Sequence, residues 1–220
     1  MTRLVRRSRP FTPVLLPVRI IVFGLAFLSF ACLLGQFYGF WTMQFFGCWV
    51  LPPATVALAI IAYRTRHERD GTGNPHTWIV QGAIGGVLAA FAYDLFRLPF
   101  VLQGAPLFKV FPRFGELLLG ASEPTWLVQF LGWAYHFSNG ATLGIMFLAM
   151  VVQPSPRALF WGAVAWALFI EAMLLLTPYT AFFGLPLDGR FLFLTLSAHM
   201  IFGLVLGFYC RGRIAVHDGL

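Results

Sequence analysis

Charge is what this chain has least of: 10% of its 220 residues are Asp, Glu, Lys or Arg, while 59% are hydrophobic. That scarcity excludes a solvated globular domain, and with a mean hydropathy of +0.79 it places the chain among polytopic membrane proteins. Cysteine is scarce as well. Cys32, Cys48 and Cys210 are scattered and odd in number, so neither a disulfide framework nor a CxxC metal site is implied. No glycine-rich phosphate loop, GxSxG elbow or HExxH motif is present, and the loops are too short for a nucleotide-binding domain. The net charge of +7 does not point to nucleic acid, because the basic residues sit in a tail and in short loops, where they report membrane orientation.

What is abundant is apolar sequence in long runs. Six segments approach the roughly 20 residues a bilayer demands, at 18–41, 47–64, 78–102, 125–151, 157–181 and 190–210. Turn chemistry separates them, in "RTRHERDGTGNPH" (64–76), "QPSP" (153–156) and "GLPLDG" (184–189). The start, "MTRLVRRSRPF", resembles the basic end of an export signal. The apolar run behind it is longer than a signal core of roughly 7–15 residues and lacks a small-x-small cleavage site, so an uncleaved first helix behind a basic cytoplasmic tail (1–17) is expected. Those arginines suit anionic lipid headgroups.

Counting basic residues orients the chain. Eleven arginines (3, 6, 7, 9, 19, 64, 66, 69, 157, 211 and 213) fall on one side, against Lys109, Arg113 and Arg190 on the other. Both termini are therefore expected in the cytoplasm of a bacterial-type inner membrane. The loop 103–124, with "APLFKVFPRFGELLLG" at 105–120, then lies outside. It is too short and proline-broken to span, so it lies along the interface or dips in and returns.

Two stretches repeat a pattern inside these runs: "HFSNGATLG" (136–144) and "HMIFGLVLG" (199–207) both place glycine four and eight residues after a histidine. With 22 glycines in 220 residues, a given histidine meets that condition roughly once in a hundred times. The preceding helices agree: each begins Gly-Ala-aliphatic (Gly82-Ala83-Ile84, Gly162-Ala163-Val164) and carries one acid in its later half, Asp94 or Glu171. The fold class expected is therefore all-α, one membrane domain of six spans. In it a two-helix unit is duplicated, helices three and four (78–151) and five and six (157–211). Positions 0, +4 and +8 share a helix face, and glycines there let a neighbouring backbone approach, as small-xxx-small faces do.

The same counting places four ionisable groups in one layer. At about 1.5 Å per residue, Asp94, His136, Glu171 and His199 lie about 12 to 16 Å below the outer surface. Charged groups in hydrocarbon face an interior and pair with something. Asp94 has Arg97 at i+3, a side chain long enough to snorkel outward. Glu171 has no polar neighbour within a turn, so its partner must come from another helix.

Two imidazoles and two carboxylates form a ligand set for iron, zinc or manganese. Asp94, His136, Glu171 and His199 are the expected ligands, with Arg97, Asn139, Tyr93 and Tyr135 around them or on a substrate. An open coordination position would activate water or oxygen for chemistry on a lipophilic or small substrate. Three other readings are open. His136 and His199 could hold a haem b axially. The protonatable groups could serve a proton-coupled or small-solute transporter, with six spans calling for a homo-oligomer. Or each histidine bonds a carboxylate only to fix packing, in a subunit of a larger membrane complex. Partners are then the lipid bilayer and membrane proteins, with no nucleic acid.

Overall fold

The computed structural model describes residues 15–67, 73–121, 125–151 and 155–214, and the first fourteen residues of the basic tail lie outside them. Every regular element among the described residues is helical: α1 (Leu15–Phe37), α2 (Met43–Trp49), α3 (Leu51–Thr65), α4 (Pro75–Leu102), α5 (Val110–Leu119), α6 (Trp126–Met150), α7 (Pro156–Leu175), α8 (Tyr179–Phe182) and α9 (Gly189–Ile214), with a 3₁₀ turn at Pro106–Phe108. Five apolar stretches are long enough to cross a membrane: Leu16–Phe37, Met43–Thr65, Pro75–Leu102, Pro156–Leu175 and Gly189–Arg213. The chain is a multi-pass membrane protein. The expected fourth span, α6, has 25 residues but is not among these stretches, because Gln129, His136, Ser138 and Asn139 interrupt its apolar run.

Helix starts follow local chemistry. Asn74 caps α4 by accepting from the His76 N–H (2.8 Å), and Pro75 takes the first helical position, where no donor is needed. Ser155 and Pro156 repeat the arrangement on α7. Thr125 caps α6 and Asp188 bonds the Phe191 N–H ahead of α9. The second apolar run departs from the single helix expected at 47–64. It breaks at Val50 into α2 and α3, because Pro52 and Pro53 cannot donate back to the preceding turn and must sit in the first turn of a new helix.

The most extensive helix contacts are α4 on α6 and α7 on α9, and α4 against α9 joins the two pairs. Helix α1 lies along α6 and α3. Glycine makes the α4–α6 contact possible at backbone distance. A Cβ at Gly144 would stand 2.1 Å from the Gly82 carbonyl oxygen, and one at Gly86 would stand 2.0 Å from that of Gly140. On α9, a Cβ at Gly203 would come 2.6 Å from Val164 Cα, and one at Gly207 2.7 Å from the Phe160 carbonyl. The two glycines after each histidine thus press on the neighbouring helix of their own pair.

The segment expected at the interface is built into the bundle. Gly104 (φ 94°) and Gly120 (φ 65°) turn the chain at its two ends in the left-handed region that glycine favours. Between them α5 buries Val110, Phe111, Phe114 and Gly115 and packs on α6, where a Cβ at Gly132 would stand 1.8 Å from the Phe111 carbonyl. Arg19, near the start of α1, donates to the carbonyls of Ala149 (2.9 Å) and Val151 (2.6 Å) at the far end of α6 and lies over the Trp78 ring. A cation on the orphan carbonyls of a helix C-terminus is favoured by hydrogen bonding and by the helix dipole.

Candidate functional site

The site is assembled from two helix pairs. On α4, Asp94 and Arg97 stand one turn apart, both buried, with Arg97 Nη1 3.4 Å from Asp94 Oδ1. From α6, His136 Nε2 lies 2.8 Å from Asp94 Oδ2. On the second pair, Glu171 of α7 is 3% exposed and its Oε2 lies 3.0 Å from His199 Nδ1 of α9. Glycine positions explain the reach: with α4 backbone-close to α6 and α7 to α9, a short carboxylate side chain meets an imidazole across the contact. The partner that Glu171 was expected to find on another helix is His199.

One residue joins the pairs. The Tyr93 ring meets the His199 ring edge-on at 4.9 Å between centroids and lies 6.1 Å from that of His136. The Arg97 guanidinium sits 4.6 Å from the Tyr93 ring centroid. Phe111 of α5 covers His136 at 4.4 Å. Together these groups bound a cavity of about 110 Å³, on whose wall lie Arg97, His136, Asn139, Glu171, Thr195 and His199. Aromatic and aliphatic side chains supply most of the remainder, and Tyr179 of α8 closes one side. Burial pushes the Tyr179 phenol well above its ordinary range, so it remains protonated.

Hydrogen-bond partners fix the imidazole tautomers. His199 Nδ1 faces the Thr195 carbonyl oxygen (3.0 Å) as well as Glu171. A carbonyl only accepts, so Nδ1 carries the hydrogen, and in the neutral ring Nε2 is a bare acceptor. His136 Nε2 faces a carboxylate already paired with arginine, so there Nε2 carries the hydrogen and Nδ1 is bare. Two rings on one cavity wall therefore each hold an unshared lone pair.

The four residues expected as one ligand set stand as two separate His–carboxylate pairs. Asp94 is off the cavity wall, behind Arg97 and His136. Among the described residues no three His, Cys, Asp or Glu side chains come together as a group able to hold a metal ion. Each pair is closed across its own helix contact, Asp94 with His136 between α4 and α6 and Glu171 with His199 between α7 and α9.

Arg97 does not snorkel. It turns inward, donates to the Leu107 carbonyl of the 3₁₀ turn, and is stacked among Tyr93, Phe108 and Phe111. Tyr93, Arg97 and Asn139 line the cavity as expected of groups near a ligand, whereas Tyr135 does not. Its hydroxyl donates to the Ser29 carbonyl on α1 at 2.8 Å, and Ser29 Oγ donates to Asn139 Oδ1 at 2.7 Å. Tyr135 is thus a tie between α1 and α6. Tyr135→Phe is expected to cost about 1 kcal/mol, the net worth of one hydrogen bond, since the Ser29 carbonyl keeps its place in the α1 ladder, read as a lowered thermal midpoint with proton uptake unchanged.

Phe111 and Tyr179 line the site without being expected there, whereas Thr195 is a polar neighbour expected beside His199. Only the backbone carbonyl of Thr195, four residues before His199 on one helix face, had a signal in the sequence. No protein-family model, no curated protein and no solved structure matches this chain.

Proposed function

We propose that this is a six-span membrane protein in which the α4–α6 and α7–α9 pairs are copies of one unit. Between them they hold a proton-exchanging site for a small solute, in the outer half of the bilayer with both termini cytoplasmic. The basic excess on the side of the termini supports the orientation, and the length of α6 supports a sixth span. Equivalent acid–histidine pairs across glycine-bearing contacts support the duplication.

One observation carries the functional reading, and it is a charge balance. Arg97 offsets Asp94, but among the described residues Glu171 has a histidine opposite it and no Lys or Arg within ion-pair distance. With both imidazoles neutral, the site holds one negative charge in excess inside a low-dielectric bundle, which is costly until a proton or another cation joins it. The Glu171–His199 pair is where that proton is held, on either partner, and the cavity gives it a solute-sized neighbour. A site that exchanges protons at one depth between two helix pairs is what a proton-coupled transporter requires.

Glu171→Gln tests this. The amide oxygen still accepts from His199 Nδ1–H, so the packing survives while the excess charge is removed. Titrating the purified protein in detergent between about pH 5 and 8, the wild type is expected to bind close to one more proton per chain than the variant, every other side chain being common to both. Equal uptake would sink the reading. If both Glu171→Gln and His199→Asn fail to assemble into a monodisperse protein, the network serves packing.

A second reading has a specific observation behind it. Metal-ligating histidines characteristically donate their other ring N–H to a carboxylate, which is the relation of Asp94 to His136 and of Glu171 to His199. His136 Nδ1 and His199 Nε2 would be the ligands for iron, zinc or manganese, with the carboxylates behind them. It stands second because the described residues offer no third ligand of those types. Stoichiometric metal retained by the wild type and lost in His199→Asn would put it first. A haem has less support, since Tyr93 touches both rings and the cavity is far smaller than a porphyrin.

A further inference from the structure

A second hollow lies on the lipid-facing side of the molecule, apart from the acid–histidine site. We propose that it binds one anionic phospholipid, with an acyl chain in the groove and the phosphate among Arg157, Arg211 and Arg213.

The groove runs between α4, α7 and α9, three of the helices long and apolar enough to cross a membrane. Leu88, Phe160, Leu204, Val205, Phe208 and Tyr209 line it, and its volume is about 470 Å³. Helix packing explains why it exists. Gly207 draws α9 onto α7, where a Cβ would stand 2.7 Å from the Phe160 carbonyl oxygen, and Gly85 lets the Tyr209 ring lie against α4. The large side chains beside these contacts stay on the surface: Leu88 is 46% and Phe208 70% exposed. In hydrocarbon, an alkyl chain fills such a hollow through packing contacts alone.

One end of the groove selects the headgroup. Helix α7 begins and α9 ends there, because Gly207 meets Phe160 close to the α7 start. Arg157 precedes Phe160 by three residues and shares its helix face. On α9, Gly212 follows Phe208 by four residues and Val205 by seven, so it continues the line of the groove. Nothing lies within 4 Å of a Cβ at Gly212, and Arg211 and Arg213 flank that open position. All three arginines are exposed, and among the described residues none of them is in an ion pair.

A neutral donor joins them. The Tyr209 hydroxyl donates to Gln81 Oε1 at 2.7 Å, which leaves the Gln81 amide hydrogens for an ester carbonyl next to the phosphate. Cations and a donor at the end of an apolar groove call for a ligand with negative charge, acceptor oxygens and a hydrocarbon tail. A second copy of the chain fits less well. A two-fold contact through this face would set both groups of arginines together at one depth, where like charges repel.

The test is native mass spectrometry of the full-length protein in detergent, titrated with phosphatidylglycerol or with phosphatidylcholine carrying the same acyl chains. The first phosphatidylglycerol is expected to bind at least about tenfold more tightly than the first phosphatidylcholine. Arg157→Gln and Arg213→Gln should each weaken phosphatidylglycerol binding about fivefold. Arg64→Gln, which removes an exposed arginine from the end of α3, should leave it unchanged. Leu88→Trp fills the groove and keeps every charge, so it should weaken phosphatidylglycerol binding by at least about tenfold. Because Leu88 is exposed to lipid, that variant decides the matter if loss of an arginine disturbs membrane insertion.

Equal affinity for the two lipids, or a loss in Arg64→Gln equal to that in Arg213→Gln, would overturn the proposal by showing diffuse attraction to headgroups. So would phosphatidylglycerol binding undiminished in Leu88→Trp. A wild-type dimer in the same spectra that Leu88→Trp disperses would also overturn it, by assigning the groove to a second copy.

Discussion

Arg97→Met is expected to destabilise the protein by about 3–5 kcal/mol, the cost of leaving one member of a buried ion pair without its partner. Asp94 and Arg97 are 7% and 6% exposed, so neither is rescued by solvent. The loss has two further parts. The Leu107 carbonyl gives up its donor, and the guanidinium no longer fills the space between Tyr93 and Phe108. Methionine replaces much of the aliphatic bulk, which isolates the charge effect from a cavity effect. The check is a double-mutant cycle read by thermal or denaturant unfolding in detergent. Asp94→Asn combined with Arg97→Met should recover most of the loss, because the amide keeps an acceptor for His136 and carries no charge. A double variant no more stable than Arg97→Met alone would show that the arginine acts through its packing and its bond to Leu107 instead.

Gly86→Ala carries the second large effect. The added methyl would stand 2.0 Å from the Gly140 carbonyl oxygen and 2.8 Å from its carbon, and these are backbone atoms that cannot rotate away. Helices α4 and α6 must separate to admit it, at about 3 kcal/mol, the upper end of what overpacking a core costs. Because Asp94 and His136 meet across that same contact at 2.8 Å, separation should also loosen their bond, so the variant is expected to be altered at the site as well as less stable. Gly24 on α1 is the control. Nothing lies within 4 Å of a Cβ there, and Gly24→Ala should be neutral or slightly stabilising through helix propensity. Equal thermal midpoints for the two variants would contradict the close packing assigned to α4 and α6.

Much of this architecture is written in the sequence because a bilayer leaves the backbone few options. Helices are the economical way to satisfy every N–H and C=O in hydrocarbon, so long apolar runs read directly as α1, α4, α7 and α9. The helices expected from 78 and 157 start a little earlier, at the prolines of the Asn-Pro and Ser-Pro pairs, Pro75 and Pro156. The His-x₃-Gly-x₃-Gly pattern located both helix contacts, since only glycine allows the separations found at Gly86 and Gly144. That Glu171 finds its partner on another helix was equally legible, because an acid without a local partner in an apolar helix demands one.

What could not be read was the pairing. Helical spacing gives depth and face, but which oxygen meets which nitrogen depends on how α7 turns against α9, and that is settled by packing between helices. For the same reason Tyr135, one residue before His136, read as a site group and is instead a tie to α1. Arg97 departs from a general tendency: long cations reach for water when nothing better is near, but here the folding back of 105–119 brings a carbonyl and aromatic rings within reach. That refolded segment is itself invisible to hydropathy, being too short to span and too apolar to float.

The bonds of α1 carry a consequence for how the chain is made. Arg19 is secured by carbonyls 130 and 132 residues later, and Ser29 meets Tyr135 and Asn139 106 and 110 residues later. Helix α1, made before α6, therefore enters the bilayer with a cation and a hydroxyl whose native counterparts have not yet been synthesised. Until α6 arrives, those groups must be sheltered by the insertion machinery or by the headgroup layer, so α1 waits for more than a hundred residues of later chain before it is locked in place.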